Sequence, residues 1–241
     1  MEKVIANLKN SFLNRESQID QLVHHMSHFW PTIFVYGLKE TGKTSILKKL
    51  LIETDAWFAW VNCVEAYSNK LIFESILYQL YVKQTEGELK LFLSSDLLDF
   101  IENLKEIFSK QNEKEKSEQS TQDLFMSKCF IVFDDCKDLL INNSGLVSNL
   151  CRLQELTCNL YSITCIFMTN SSLDSIYKDE AFFSPIKIYF PSYNKKELLS
   201  ILETHTPDGY SKNFYQKYSI KIQTNFIFIL IFYFILLVIF N

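Results

Sequence analysis

One segment limits the possible folds of this chain more than any other feature of its sequence. Gly37–Thr44, with the sequence GLKETGKT, matches the pattern G-x-x-x-x-G-K-[ST] at every fixed position. An apolar run, Thr32–Tyr36, precedes it, and a segment with apolar residues at helical spacing, Ser45–Leu51, follows it. A strand, a glycine-containing loop and a helix in this order are typical of the phosphate-binding loop of nucleotide-binding α/β proteins.

The residues of this loop predict a site for ATP and Mg2+. Backbone N–H groups of such a loop surround the phosphates, the Lys reaches the β and γ phosphates, and the final Thr hydroxyl binds the metal ion. The alternative is a vestigial loop that no longer holds a ligand. The predicted nucleotide contacts are Gly37, Leu38, Lys39, Glu40, Thr41, Gly42, Lys43 and Thr44.

Polar residues follow two further apolar runs that have the character of buried strands. Asp134 and Asp135 come directly after Cys129–Phe133, and Asn170 follows the run that ends at Met168 and Thr169. We expect Asp134 to organise Mg2+, Asp135 to occupy the position of the acid that orients water, and Asn170 to reach the γ phosphate. Helix capping by the Asp pair and an ordinary turn at Asn170 are the alternatives.

Asp135 favours nucleotide binding over nucleotide hydrolysis. Hydrolytic P-loop proteins place a Glu at this position, and Asp is one methylene shorter. A displacement of about 1 Å can lower a catalytic rate by about 100-fold.

Strands and helices alternate along the chain, which predicts an α/β fold: a three-layer P-loop domain with a parallel sheet, followed by a partial helical lid. We expect a nucleotide-binding domain over 1–191, a partial lid over 192–219 and a hydrophobic tail over 220–241. The polar segment 110–122 is predicted to be a solvated loop. The further predicted strands are 57–61, 163–168 and 186–190, and the further predicted helices are 15–28, 70–82, 96–108, 146–160 and 193–202.

Composition excludes some classes of protein. The 241 residues include 24 basic and 28 acidic side chains, a net charge of −4, so the chain does not have the charge excess of an autonomous nucleic-acid-binding protein. Its six cysteines include no C-x-x-C pair, which is typical of reduced thiols in an intracellular protein. Residues 1–10 show no apolar segment typical of a secretory signal.

Two other features have no clear functional interpretation. Phe226–Phe240 is apolar throughout, but a helix of that length spans only ~22 Å of a ~30 Å hydrocarbon core. A short membrane anchor, a buried element and a segment foreign to the fold remain alternatives for it. His24 and His28 have the spacing of two metal ligands, but the sequence offers no third ligand near them.

The combination of the phosphate loop, the strand that ends in two acids and the strand-end Asn resembles the AAA+ ATPases of the initiator clade. Segments outside these motifs resemble the subunit 5 family of the origin recognition complex in particular. These segments are Asn14–Gln18, Val61–Glu65, Leu153–Leu156 and Tyr189–Pro191.

The resemblance implies an ATP-binding nuclear subunit that assembles with other origin recognition complex subunits, acts in the initiation of DNA replication and helps to load the helicase. Contact with origin DNA would then arise through the assembled complex. ATP would lie at a joint between subunits, with weak or no hydrolysis. Arg15 would begin the adenine-side pocket, although a surface salt bridge is an alternative for it.

The chain departs from the family pattern in its basic residues and in its lid. It contains two arginines, Arg15 and Arg152, and Lys178 stands where the family has a basic residue after the fourth strand. Either Lys178 or Arg152 could face a neighbour's nucleotide, and a solvated position on a helix is an alternative for Arg152. The lid pattern stops after Tyr218. The competing hypotheses are an autonomous P-loop ATPase, a P-loop protein tethered to a membrane through residues 226–240, and a truncated product without function.

Overall fold

A computed structural model of the chain describes residues 2–28, 30–85, 90–117, 128–172 and 185–204. Its contacts divide the chain into two compact units, Met1–Ser192 and Tyr193–Asn241. The strands are β1 (Thr32–Tyr36), β2 (Trp57–Asn62), β3 (Lys128–Asp134), β4 (Ser162–Thr169) and β5 (Ile186–Tyr189). The helices are α1 (Glu2–Ser11), α2 (Glu16–Ser27), α3 (Lys43–Glu53), α4 (Asn69–Gln84), α5 (Leu97–Ser117), α6 (Lys137–Asn142), α7 (Ser144–Cys151), α8 (Leu153–Leu156) and, in the second unit, α9 (Lys195–Thr204).

The five strands form one parallel sheet in the order β2-β3-β4-β1-β5. Parallel strands need helical crossovers, and these cover both faces of the sheet, so its central strands are apolar on both sides. Cys129–Phe133 in β3 is fully buried, as its continuous apolar sequence predicts. The predicted α/β fold with a parallel sheet is confirmed, and all five strands present their carboxyl ends at the same edge.

Two apolar cores lie on the two faces of the sheet. On one face, Phe34, Phe133 and Phe167 pack against helices α4 to α8, and the rings of Phe133 and Phe167 are stacked with centroids 4.9 Å apart. On the other face, Ile33 and Val35 pack against α1, α2 and α3. Alternate residues of β1 therefore point into different cores, as the two-residue period of a strand requires.

A glutamine from α4 covers part of the free edge of β2. The side-chain oxygen of Gln79 accepts the backbone N–H of Trp60 at 2.8 Å, and its Nε2 donates to the Trp60 carbonyl at 2.9 Å. These are the bonds that another strand would make to Trp60. An edge strand with unpaired backbone groups is a template for aggregation, and Gln79 removes one such pair from solvent.

The buried amino group of Lys128 stabilises the end of α2. Its Nζ donates to the carbonyls of Met26, Ser27 and His28 at 3.1, 2.9 and 2.7 Å. The last carbonyls of a helix have no partner within the helix and form the negative end of its dipole, so a cation is favourable there. Burial lowers the pKa of Lys128.

The structure differs from the sequence-based expectations at two helices. Helix α1 was not predicted, although Leu8 is fully buried in the core. Helix α5 continues through 110–117, so the predicted loop is wrong over those residues, while 118–122 lie outside the described part of the chain. The polar extension contains good helix formers, and Lys110 pairs with Glu106 one turn earlier at 2.7 Å.

The predicted helix 146–160 is also divided, because α7 ends at Cys151 and α8 begins at Leu153.

Helix α9 begins with a reciprocal cap. The backbone N–H of Asn194 donates to a Glu197 side-chain oxygen at 2.8 Å, and the N–H of Glu197 donates to Asn194 Oδ1 at 3.0 Å. This pairing satisfies a backbone donor that a helix start otherwise leaves free. Of the predicted lid, only the part up to Thr204 is described, and the apolar run 226–240 lies outside the described residues. Among the helices that are described, none has the length and apolar character to cross a membrane.

Candidate nucleotide-binding site

The predicted site residues come together at the carboxyl edge of the sheet. The loop Gly37–Thr44 leaves β1, Asp134 ends β3, and Asn170 follows β4, which lies between those two strands. Crevices outside the carboxyl ends of parallel strands are the usual ligand sites of open α/β sheets.

The two glycines of the loop meet different requirements. A Cβ on Gly37, whose φ is 153°, would lie 2.2 Å from the backbone oxygen of Phe190, so the main chain of the loop contacts the end of β5 directly. Gly42 has φ 89° and directly precedes α3. Glu40 adopts φ 63°, a left-handed conformation that costs a residue with a side chain about 1 kcal/mol or more. The loop shape is therefore imposed by its surroundings.

The start of α3 presents backbone donors at this edge. The N–H of Ile46 donates to the carbonyl of Gly42 at 2.9 Å, which is the first bond of the helical pattern. The N–H groups of Lys43, Thr44 and Ser45 precede that bond, and such groups form the positive end of the helix dipole. This end of α3 suits an anion such as a phosphate.

Lys43 is buried, and its amino group is surrounded by oxygen atoms. Nζ donates to the carbonyls of Gly37 and Leu38 at 2.8 and 2.7 Å, and it lies 3.4 Å from Thr41 Oγ1. It also donates to Asn170 Oδ1 at 3.2 Å. The lysine therefore links the loop to the end of β4.

The electrostatic surroundings of Lys43 favour an anion. Burial lowers the pKa of Lys43, and the charge of Arg15 lowers it further, while Asp134 and Asp135 oppose both effects. A phosphate chain beside the amino group would supply negative charge and raise this pKa again.

Asp134 and Thr44 face each other across the site. The Thr44 hydroxyl donates to Asp134 Oδ1 at 3.5 Å, and the same oxygen accepts the backbone N–H of Asp135 at 3.0 Å. Burial raises the pKa of Asp134, although these two hydrogen bonds and Lys43 partly offset the effect. A divalent cation would favour the charged carboxylate, and a carboxylate with a hydroxyl is a ligand set that Mg2+ accepts. The residues present thus fit a phosphate chain with its metal ion.

Asp135 and Asn170 also contact each other. Asn170 Nδ2 donates to Asp135 Oδ1 at 3.4 Å, and the Asp135 backbone has φ 49°. Since the Asn170 oxygen accepts from Lys43, the Asn170 amide bridges the lysine and the second acid.

Arg15 lies beneath the loop and is only 1% exposed, so the surface salt bridge considered as an alternative is wrong. Its Nε donates to the Thr41 carbonyl at 3.0 Å, and Nη2 donates to the Pro191 carbonyl at 2.6 Å. Sequence reasoning missed the contribution of Phe190 and Pro191 to this region. No local pattern could have shown it, because Pro191 is 176 residues from Arg15 in the chain.

The other predicted residues lie on the surface or outside the described part of the chain. Leu38, Lys39 and Glu40 are exposed at the tip of the loop. Arg152 is exposed and donates to Glu155 at 2.8 Å. Lys178 lies outside the described residues. The described ranges contain no cluster of three or more His, Cys, Asp or Glu suited to a metal ion, so His24 and His28 gain no third ligand there.

We expect Gly37→Ala to destabilise the protein by about 2 kcal/mol or more, because the new methyl group must displace the main chain at Phe190. The matched control is Gly145→Ala in α7, where a Cβ meets no atom within 4 Å. Alanine in that helix should change stability by less than about 1 kcal/mol, in the stabilising direction. Urea unfolding of both variants measures the difference, and equal stabilities would contradict the close contact.

Comparison with known proteins shows the family of the chain. The family model described as the AAA ATPase domain matches residues 11–164. Human origin recognition complex subunit 5 is 29% identical over 222 residues, which cover 89% of this chain and 48% of that protein. The Arabidopsis thaliana origin of replication complex subunit 5 is 23% identical over 218 residues, covering 83% of this chain and 40% of that protein.

The fold is also similar to a solved structure of the Drosophila origin recognition complex bound to DNA. One chain of that structure superposes with a TM-score of 0.67 at 24% identity, covering 85% of this chain and 49% of the other. The chain spans less than half the length of both curated relatives. Because the family model matches residues 11–164, which include most of the sheet, the chain belongs to the AAA ATPase family. Within that family it is similar to subunit 5 of the origin recognition complex.

Proposed function

We propose that the chain binds ATP with Mg2+ as a AAA+ subunit of an origin recognition complex and acts in the initiation of DNA replication. The observation that carries this proposal is the position of Lys43, held between the phosphate loop and Asn170 and next to Asp134. The similarity to subunit 5 of two organisms supports the assignment to this complex. Other subunits of the complex are the partners, and the nucleus is the location.

Each residue of the site has a proposed role. The amides of Gly37–Gly42 and the start of α3 surround the phosphates, and Lys43 moves from the loop carbonyls to the β and γ phosphates. Thr44 and Asp134 hold Mg2+. Asn170 reaches the γ phosphate, and Arg15 supports the loop on the adenine side.

The proposed site retains ATP and hydrolyses it weakly or not at all. Asp135 has a short side chain, and its contact with Asn170 uses an oxygen that a water-orienting base needs for the attacking water. The bound metal ion would neutralise charge on the phosphates, but the chain lacks a Glu at position 135 to orient that water.

ATP then stabilises the assembled state instead of driving it through a cycle. A nucleotide that binds the docked subunit more tightly than the free one favours docking by about 1.4 kcal/mol for each tenfold difference in affinity. Because the chain has a net charge of −4, its contact with origin DNA arises through the assembled complex. The assembled complex in turn helps to load the helicase.

Lys43→Ala should weaken binding of MgATP by about 100-fold, because it removes a charge-assisted contact to two phosphates. Lys48→Ala is the matched control, since Lys48 lies on the same helix but is exposed. Titration with a fluorescent ATP analogue measures both affinities, and circular dichroism checks that both variants are folded. Equal affinities of the Lys43→Ala and Lys48→Ala variants would contradict the assigned site.

Asp135→Glu tests the absence of turnover. If the missing methylene limits hydrolysis, the single-turnover rate should rise by about tenfold or more in this variant, while the affinity for MgATP stays close to that of the natural chain. Asp135→Asn is the control, because it keeps the length and removes the base. Rapid hydrolysis by the natural chain would instead favour an autonomous ATPase.

Assembly is tested by co-expression of the tagged chain with the other subunits of an origin recognition complex. We expect the natural chain to retain these subunits in the presence of ATP and to lose part of them when ATP is removed. The Lys43→Ala variant should retain the other subunits at all ATP concentrations only as well as the natural chain does without ATP. Lys48→Ala should behave as the natural chain. A natural chain that purifies alone with bound ATP would refute the proposed partnership and leave the nucleotide site standing.

A further inference from the structure

Arg15 connects two segments that are far apart in the sequence. Its Nε donates to the carbonyl of Thr41 and its Nη2 to the carbonyl of Pro191, so one guanidinium bonds the phosphate loop and the chain that follows β5. The donors of a guanidinium form a rigid planar fork. The two carbonyls are therefore held at a defined spacing as long as both bonds persist.

The segment that follows β5 also contacts the start of the loop. The N–H of Phe190 donates to the Tyr36 carbonyl at 2.8 Å, and the Phe190 carbonyl lies against Gly37. Pro191 therefore follows a residue that contacts the first glycine of the loop, while Arg15 joins Pro191 to Thr41 near the end of the loop. The Phe190–Pro191 segment thus supports the loop at both of its ends.

The burial of Arg15 places a second cation close to Lys43. The guanidinium carbon is 6.0 Å from the centre of the Phe190 ring, and the charge of Arg15 contributes to the lowered pKa of Lys43. Two buried cations under one loop repel each other, and a polyphosphate above the loop attracts both. A phosphate ligand is therefore expected to tighten the arrangement that Arg15 holds.

We propose that Arg15 is a positioning residue that ties the phosphate loop to the Phe190–Pro191 segment, so that nucleotide binding and the order of that segment depend on each other. This inference rests on the proposed nucleotide site. Coupling of this kind is reciprocal: if the tie favours the loop shape that binds nucleotide, then nucleotide must stabilise the tie to the same extent. Pro191 directly precedes Ser192, the last residue of the first compact unit, so the coupling reaches the end of that unit.

The experiment compares Arg15→Met, which keeps a long apolar side chain without donors, with Arg15→Lys, which keeps the charge but lacks the planar fork. Arg15→Met should raise the Kd for MgATP by about tenfold, because it removes both hydrogen bonds that hold the loop in the shape that binds nucleotide. Arg15→Lys should recover part of this affinity through its charge. Lys9→Met is the control, since it removes an exposed cation of α1 that pairs with Asp20 at 2.6 Å.

Hydrogen exchange measures whether MgATP slows exchange in the segment after β5, and a purely structural role of Arg15 would leave that effect of MgATP unchanged. In the natural chain and in Lys9→Met, MgATP should slow exchange in a peptide covering 186–194, including the Phe190 N–H. In Arg15→Met and Arg15→Lys, saturating MgATP should slow exchange in the loop peptide 37–44 but no longer in 186–194. Loss of this remote protection with the local protection intact would support the tie.

Other outcomes separate this inference from the proposed function. If the natural chain binds MgATP and Arg15→Met keeps both its affinity and the protection of 186–194, the positioning role of Arg15 is overturned and the nucleotide site stands. If Arg15→Met fails to fold, Arg15→Lys decides, and natural behaviour of that variant overturns the role of the fork. A natural chain that binds no MgATP overturns the proposed function itself.

Discussion

The close packing of Gly37 against the main chain at Phe190 is the contact on which the rest of the site depends. Because no side chain separates the two segments, the phosphate loop leaves β1 directly beside the end of β5. That position lets Arg15 bond both the phosphate loop and the chain after β5, and it directs the end of the loop toward α3. The strained φ of Glu40 persists because these contacts hold the loop at several points.

Around this loop, the buried amino group of Lys43 and half-buried polar groups from separate strands satisfy one another. Lys43 bonds carbonyls of its own loop and the amide of Asn170, and Asn170 bonds Asp135. Asp134 bonds Thr44 and the backbone of Asp135. Buried cations and carboxylates are costly unless they are paired, so a network in which each group has a partner is stable and still able to exchange partners for a ligand.

Much of the fold was predictable because its signals are local. The apolar runs of β1, β3 and β4 are continuous, since both faces of those strands are covered, and the helical spacing of α2 and α4 is clear. The prediction failed where local signals were weak. Residues 110–117 contain no apolar side chain, yet they continue α5, because helix propensity and the Glu106–Lys110 pair suffice to extend a helix that is already packed.

The sequence by itself determined the order of strand, phosphate loop and helix, the two acids at the end of β3 and the Asn after β4, because each of these depends on neighbouring residues. Only the tertiary structure decided that Lys43 contacts Asn170, that Asp134 faces Thr44, and that Arg15 is buried between Thr41 and Pro191. Those contacts join residues separated by 127, 90 and up to 176 positions. Their spacing depends on which strands are neighbours in the sheet, and strand order is a property of the whole packed chain that no short segment encodes.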